Sequence, residues 1–380
     1  MPNRVISPNV RQSFRGQLGT GQLRITRGQG CARRSAWRLV VLCLALGAFL
    51  YVGGSAKSTP EIVGVKAGAA AIRIHLQPHL LPGQSFRYQL NLHTSASSRA
   101  EGPISDPQGA SRLERAAMAT VYLEVLRVDL GGKNGAQVRL RATYDHCSSA
   151  SESDALDVNE PELEEQFRKL DGTSVEFTLD SDGQTHDFAV SRETSSDPST
   201  LLALQQGTSA LTPKSGLPAA GIAPGETWSS DREFQPSPLA GLYWHTDSAY
   251  LRNETCPRPS PPTDSTPANA GAGPDGAQSG GGKPESDTCA VIQTKLHLLR
   301  HDATSSQTPD EYLKNGLRTS GTWTGTAEAI SDISLRTGLV VTMTQTGSQD
   351  MDFRIATAQG QAGLRYVGHV ESQTAVTQLP

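Results

Sequence analysis

The chain is poor in the residues and motifs that carry familiar chemistries. Only 5% of its 380 residues are aromatic, and only five are cysteines. It contains no Cys-x-x-Cys or His-Glu-x-x-His spacing, no Gly-x-Ser-x-Gly elbow and no Gly-x-x-x-x-Gly-Lys-Ser/Thr loop. These absences argue against a zinc ribbon, an elbow-type serine hydrolase and a P-loop nucleotide site. The net charge of −4 argues against an overall basic nucleic-acid binder.

Charge is distributed unevenly along the chain. Residues 1–38 contain eight arginines and no Lys, Asp or Glu, so the remaining residues carry −12. Sixteen uncharged residues follow at 39–54, LVVLCLALGAFLYVGG. A basic flank before an apolar run keeps the N-terminus in the cytosol and directs the rest across a membrane. We therefore expect a cytosolic tail or signal n-region at 1–38 and a signal peptide or signal-anchor helix at 39–56.

The length of the apolar run does not decide whether the segment is cleaved or stays as an anchor. Its length is intermediate between that of a signal-peptide core and that of a full membrane span. Small residues at Gly54-Ser55-Ala56 suit cleavage. The predicted location is the bacterial cell envelope. The chain is either anchored in the inner membrane through 39–54, with its C-terminal domain in the periplasm, or released after cleavage near Ala56. A buried core helix is the third reading, and residues 57–70 form a spacer.

Residues 71–380 show the alternation of half-buried strands. Apolar side chains at Val138, Leu140, Ala142 and Tyr144 alternate with polar ones. The sequence indicates two hairpins. The first has its turn at 181–184, between strands 175–179 and 186–190. The second has its turn at 336–338, between Ile333 and Met343. Further strand candidates are 84–93, 120–129, 290–300, 321–331, 350–357 and 363–370. The prediction is a mainly β domain, a curved antiparallel sheet or half-barrel with one or two short covering helices.

Two short helices are predicted from their caps and apolar stripes. The first spans 160–171, with Leu163, Phe167 and Leu170 on one face and Gly172 after it. The second begins at Asp197-Pro198 and carries several leucines.

Two stretches are predicted to be loops. Residues 94–117 are polar and rich in Ser and Ala, and residues 257–288 contain seven Pro, six Gly and no Leu, Ile, Val or aromatic residue. Cys256 and Cys289 bracket the second stretch, which marks it as a disordered insertion. In an oxidising compartment we expect these two cysteines to form a disulfide, leaving Cys147 as a buried free thiol.

No residue stands out as catalytic, and no cofactor or metal is predicted. The histidine pairs 75/79 and 297/301 have helical spacing outside a helical context, so they are expected to be ordinary exposed side chains. Carboxylates such as Asp145, Glu176 and Glu226 would be arbitrary choices for an acid–base pair. The tryptophans Trp228, Trp244 and Trp323 are expected to pack in the core rather than to stack on a ligand.

Several short segments carry a resemblance to a family. They are 81–88 (LPGQSFRY), 170–177 (LDGTSVEF), 217–218 with 224–228 (LP, PGETW) and the Thr337-Gly338 hairpin. Together they resemble uncharacterised exported bacterial envelope proteins similar to the lipoprotein-carrier-like half-barrel group, LolA/LppX-like. The likeness covers about 76–357 and implies a fold more than a function. The chain departs from it by lacking a lipidated cysteine and by the 257–288 insertion.

The leading functional hypothesis is a non-catalytic envelope protein that binds a lipid or other apolar ligand on its curved sheet. One alternative is a structural or protein-interaction module with a protein partner in the envelope. Another is an enzyme whose site has no recognisable motif.

Overall fold

A computed structural model describes most of the chain beyond residue 72. The described residues are 62–63, 73–102, 109–132, 135–154, 164–165, 167–181, 183–190, 198–212, 217–218, 220–234, 237–257, 287–301, 308–357 and 363–380. The predicted tail 1–38, the signal segment 39–56 and the interior of the insertion, 258–286, lie outside them. Within the predicted spacer, Ile62–Val63 forms a short strand.

The domain is mainly β, as predicted: one open, curved antiparallel sheet of twelve strands in the order β1-β7-β8-β9-β10-β11-β12-β2-β3-β4-β5-β6. Neighbours in sequence are mostly neighbours in the sheet, which is the signature of a meander. The strands are β1 Ile62–Val63, β2 Ser85–Glu101, β3 Ser111–Gly132, β4 Gly135–Ser153, β5 Ser174–Asp180, β6 Thr185–Val190, β7 Thr227–Glu233, β8 Leu242–Thr255, β9 Thr288–Arg300, β10 Leu317–Ser334, β11 Val340–Thr357 and β12 Leu364–Leu379.

Each strand has a buried face and an exposed face because successive side chains point to opposite sides. The predicted alternation at 138–144 is confirmed, with Leu140 and Ala142 fully buried and Arg139 and Arg141 on the exposed face. The largest cluster of the core packs Leu123, Leu140 and Phe177, all 0% exposed, against residues from β11 and β12. A second cluster surrounds Trp228 and Tyr250 on β7 and β8.

A helix covers part of the large core cluster. Helix α1, Pro198–Leu211, begins at the proline expected at a first helical position and packs through Leu204 and Leu211. The hydroxyl of Tyr144 on β4 donates to the Leu204 carbonyl, 2.9 Å, and holds the helix against the sheet. A short helix α2, Asp310–Lys314, precedes β10. None of the described helices has the length and hydropathy needed to cross a membrane.

The predicted 160–171 helix is described only in part. Residues 164–165 and 167–168 are helical, and a turn through Gly172 follows. Phe167 and Leu170 join the large core cluster, as their spacing predicts. Leu163 lies outside the described residues.

Both predicted hairpins are confirmed, but the loop predicted at 94–117 is wrong. Residues 94–101 continue β2, and 111–117 belong to β3. The two stretches pair in register, from Thr94 opposite Arg115 to Ser98 opposite Ser111. Backbone hydrogen bonds to β12 and β4 hold them extended although their small side chains have weak strand propensity.

Candidate functional site

The predicted disulfide is formed between Cys256 and Cys289, with an S–S distance of 2.12 Å. Cys256 directly follows β8, and Cys289 is fully buried at the start of β9. The Cys256 N–H donates to the Asp287 carbonyl, 2.9 Å, so the backbone pairing continues beside the bond. The disulfide therefore closes the two strands at the base of the insertion.

Cys147 is a buried free thiol, as predicted. Burial, reinforced by the negative charges of Asp171 and Asp145, raises the pKa of the Cys147 thiol to about 12. A nucleophilic cysteine needs a thiolate at neutral pH. The charges that act on Cys147 are those of Asp171 and Asp145, which disfavour a thiolate.

The three tryptophans pack in the core. Trp228 and Trp244 are 5% exposed and Trp323 is 3% exposed. The Trp323 Nε1–H donates to Gln349 Oε1 at 2.7 Å, and Phe234 contacts the rings of Trp244 and Trp323 edge-on. The Trp323 indole N–H is thus used within the fold, and Trp244 and Trp323 pack against the same Phe234 ring.

The three carboxylates singled out in the sequence each make a local hydrogen bond. Glu176 accepts a hydrogen bond from Arg141 at 2.9 Å, and Glu226 accepts one from Arg73 at 2.8 Å. The Asp145 carboxylate accepts from the neighbouring His146 N–H. Among the described residues, no three His, Cys, Asp or Glu side chains are grouped so that they could hold a metal ion.

A different region stands out: the distal arm, which we define as 94–101 of β2, 111–117 of β3 and 147–153 of β4. Its exposed-face residues include charged side chains such as Glu114 and Glu152. Its buried face is mostly half-buried and carries small side chains. These are Thr94, Ala96, Ser98, Ala100, Ser111, Ala117, Ser149, Ser151 and Ser153, with Leu113, Arg115 and Cys147 the larger members.

Arg115 is the unusual member of this face. It is only 9% exposed, and its guanidinium carbon lies 5.7 Å from the centre of the Phe167 ring, a cation–π contact. Its Nη1 is buried without a hydrogen-bond partner. Burial lowers the pKa of the Arg115 guanidinium, and the negative charge of Glu164 only partly offsets that effect.

The strand residues next to Arg115 on the buried face are uncharged, and those on β4 are serines. Arg115 lies opposite Ser151 on β4, and the next pair on the same face is Ala117 with Ser149. The Ser149 hydroxyl is also buried without a partner. Glu164 instead accepts hydrogen bonds from the Ser151 N–H and hydroxyl, at 3.2 and 3.4 Å.

Sequence reasoning missed Arg115 because it treated 94–117 as a loop. The signal was present: Leu113, Arg115, Ala117, Ala119 and Val121 alternate with outward-facing residues, so the arginine occupies an apolar register. A charged residue in such a register is informative because arginine is almost never fully buried without a partner.

The exposed face carries shallow polar grooves. One of about 670 Å³ crosses β9, β10, β11, β12 and β2 and is lined by residues that include His93, Lys295, His297, Glu328 and Glu371. Its lining mixes positive, negative and neutral polar groups, so it has no single charge preference.

Comparisons with known proteins add little to this geometry. No protein-family model matches the chain, and no curated protein is similar to it. Among solved structures, one match is DynF from the dynemicin biosynthesis pathway of Micromonospora chersina, at 8% identity, covering 85% of this chain and 92% of that chain with a TM-score of 0.15. A score this low carries no argument about fold or function.

Proposed function

We propose that the protein is a non-catalytic binding protein of the bacterial cell envelope, related to the lipoprotein-carrier-like half-barrels, that holds an acyl chain against the buried face of its distal arm. The core half of β2–β4, which we define as 85–93, 118–128 and 138–145, is filled by its own side chains. The distal arm is where a ligand can be accommodated.

The side-chain size on the distal arm carries this proposal. Large residues such as Tyr88, Leu123 and Leu140 fill the core half at 0% exposure. Alanine, serine and threonine replace most of them on the same face of the distal arm, where only Leu113, Arg115 and Cys147 are larger. Six strand steps from Thr94 to Ala100 extend about 20 Å. This small-residue surface, half-buried and facing the core side, can receive an extended apolar chain.

Acyl-probe binding tests the proposal. We expect the purified protein to bind a fluorescent fatty acid, cis-parinaric acid, with saturable enhancement of its emission, and to retain lipid detectable by mass spectrometry. Ala96→Phe places a large side chain on the buried face of the distal arm and should weaken probe binding at least about tenfold.

The matched control is Ala116→Phe, on the exposed face of the same arm. It should leave probe binding unchanged. Absence of both co-purified lipid and saturable probe binding by the unaltered protein would refute the proposed function, and equal binding by both variants would place the ligand elsewhere.

Export is part of the same proposal. It is supported by the arginine-rich segment before the apolar run 39–54 and by the Cys256–Cys289 disulfide, a bond typical of oxidising compartments. Fusion of a periplasm-dependent reporter enzyme after Pro380 tests the direction of export. N-terminal sequencing of the mature protein then distinguishes an uncleaved anchor from cleavage near Ala56.

Contact with another envelope protein is the second candidate, favoured by the 670 Å³ groove on the exposed face. A photo-crosslinking amino acid in place of Thr326, which lines this groove, should crosslink one defined envelope protein in intact cells. The control position Thr178 lies on the exposed face of β5, away from the groove. The same crosslinks from both positions would refute a specific interface.

A further inference from the structure

The distal arm contains a buried positive charge that the described residues satisfy only in part. Arg115 makes no ion pair with any carboxylate among the described residues, and its Nη1 has no hydrogen-bond partner. The nearby Ser149 hydroxyl is likewise unpartnered. Both side chains occupy the buried face, one pair apart along β3 and β4.

Such an arrangement costs free energy in the empty protein. Arginine stays protonated at any physiological pH, so burial cannot be relieved by losing the charge. The Phe167 ring and the negative charge of Glu164 compensate only in part, because neither a cation–π contact nor a charge without a hydrogen bond replaces the hydrogen bonds of the guanidinium. An anion supplied from outside the chain would pair with the guanidinium charge. It would also accept hydrogen bonds from the Arg115 Nη1 and the Ser149 hydroxyl.

We propose that Arg115 and Ser149 form an anion subsite that binds the ionised carboxylate of a fatty acid whose chain lies along the distal arm. This inference rests on the proposed function and specifies its ligand class. The planar guanidinium can donate two parallel hydrogen bonds to a carboxylate, and the Ser149 hydroxyl can donate a third.

A comparison of ligands with and without the charge tests the subsite. Palmitate and hexadecanol carry the same chain length but differ in the head group. Arg115→Gln should weaken palmitate binding at least about tenfold, because hydrogen bonds to charged groups contribute more than neutral ones. Hexadecanol binding should be nearly unchanged. Calorimetric or fluorescence-displacement titration measures both.

Arg112→Gln is the matched control. Arg112 lies three residues away on the same strand but on the exposed face. Its replacement should leave the affinity for both ligands unchanged. If Arg115→Gln binds palmitate as tightly as the unaltered protein, the anion subsite is wrong while the acyl-binding function stands.

Thermal stability gives a second readout, and in the ligand-free protein it does not depend on ligand affinity. Since an unpaired buried charge is unfavourable, Arg115→Met should raise the melting temperature of the ligand-free protein. Palmitate should raise the melting temperature of the unaltered protein more than that of this variant. A strongly lowered melting temperature in Arg115→Met would show that the guanidinium is satisfied within the fold and would overturn the proposal.

Inorganic phosphate serves as the probe for a small free anion. Phosphate binding that depends on Arg115, without binding of palmitate or hexadecanol, would retain the charge recognition but overturn the fatty-acid proposal and the acyl-binding function together. If phosphate, palmitate and hexadecanol all fail to bind, the anion subsite and the acyl-binding function are both overturned.

Discussion

The core half and the distal arm of β2–β4 belong to the same three strands yet are built differently. In the core half, Tyr88, Leu123 and Leu140 are fully buried, and helix α1 packs on them. In the distal arm the same face carries Ala, Ser and Thr, with a buried unpaired arginine among them. One pattern of strand pairing thus supports a packed core at one end and a surface suited to a ligand at the other.

The largest expected difference lies between two leucines on the buried face of β3. Leu123→Ala should cost about 2–5 kcal/mol of unfolding free energy, because the leucine is fully buried among side chains that cannot collapse into its space. Leu113→Ala, in the half-buried distal arm, should cost about 1 kcal/mol or less. Urea unfolding measures both, and equal costs would break the distinction between the two regions.

The disulfide allows a similar comparison between the two ends of β8 and β9. It lies beyond the Tyr250–Ile292 pair, at the end of these strands next to the insertion. Replacing both Cys256 and Cys289 by Ser should cost about 3–4 kcal/mol in the chain-entropy model. Hydrogen exchange should then accelerate at 288–292 and change little at 296–300. Uniform acceleration along β9 would show that the bond stabilises the whole strand.

Helix α1 is fixed to the core half by a close contact between Gly207 and Tyr144. A Cβ at position 207 would lie 2.5 Å from the Tyr144 hydroxyl oxygen. Gly207→Ala should therefore cost about 1–3 kcal/mol, and Tyr144→Phe about 1 kcal/mol. In the double variant the closest clash, with the hydroxyl oxygen, is removed, although the ring carbons of residue 144 stay 3.2 and 3.3 Å from the new Cβ, so the costs should be less than additive. Strict additivity in a denaturation cycle would contradict this contact.

The smallest expected effect concerns two histidines on the exposed face. Hydrogen bonds to Asp350 and Asp231 raise the pKa values of His369 and His245 respectively. A raised pKa contributes stability that is fully present below the unfolded value of about 6.5 and is lost as the pH rises through the folded value. The contribution of each exposed pair is about 0–1 kcal/mol.

When the pH rises from 6 to 8, the melting temperature of the double variant His369→Gln/His245→Gln should therefore fall less than that of the unaltered protein. His297→Gln is the control, because His297 lies on the exposed face without an ion pair to any described residue. An unchanged slope in the double variant would rule out these pairs as the source of the pH dependence.

Much of the core half was predictable from the sequence, and little of the distal arm was. The alternation at 138–144 and the turns near Gly183 and Gly338 identify strands and hairpins because large apolar residues mark the buried face. The Cys256–Cys289 pair was predictable from its position around the insertion. The distal arm has the composition of a loop, so its extended conformation and the burial of Arg115 were not predictable from propensity.

The amino-acid sequence by itself determined the fold class, the core-forming faces and the disulfide, because these depend on side-chain patterns within short segments. The tertiary structure determined that 94–101 and 111–117 are strands rather than loops. Pairing of β2 with β12, whose partners lie more than 260 residues apart at Glu101 and Arg365, holds polar segments in the sheet. Long-range backbone pairing overrides weak local propensity, and it holds the strands whose buried face carries Arg115 against the Phe167 ring.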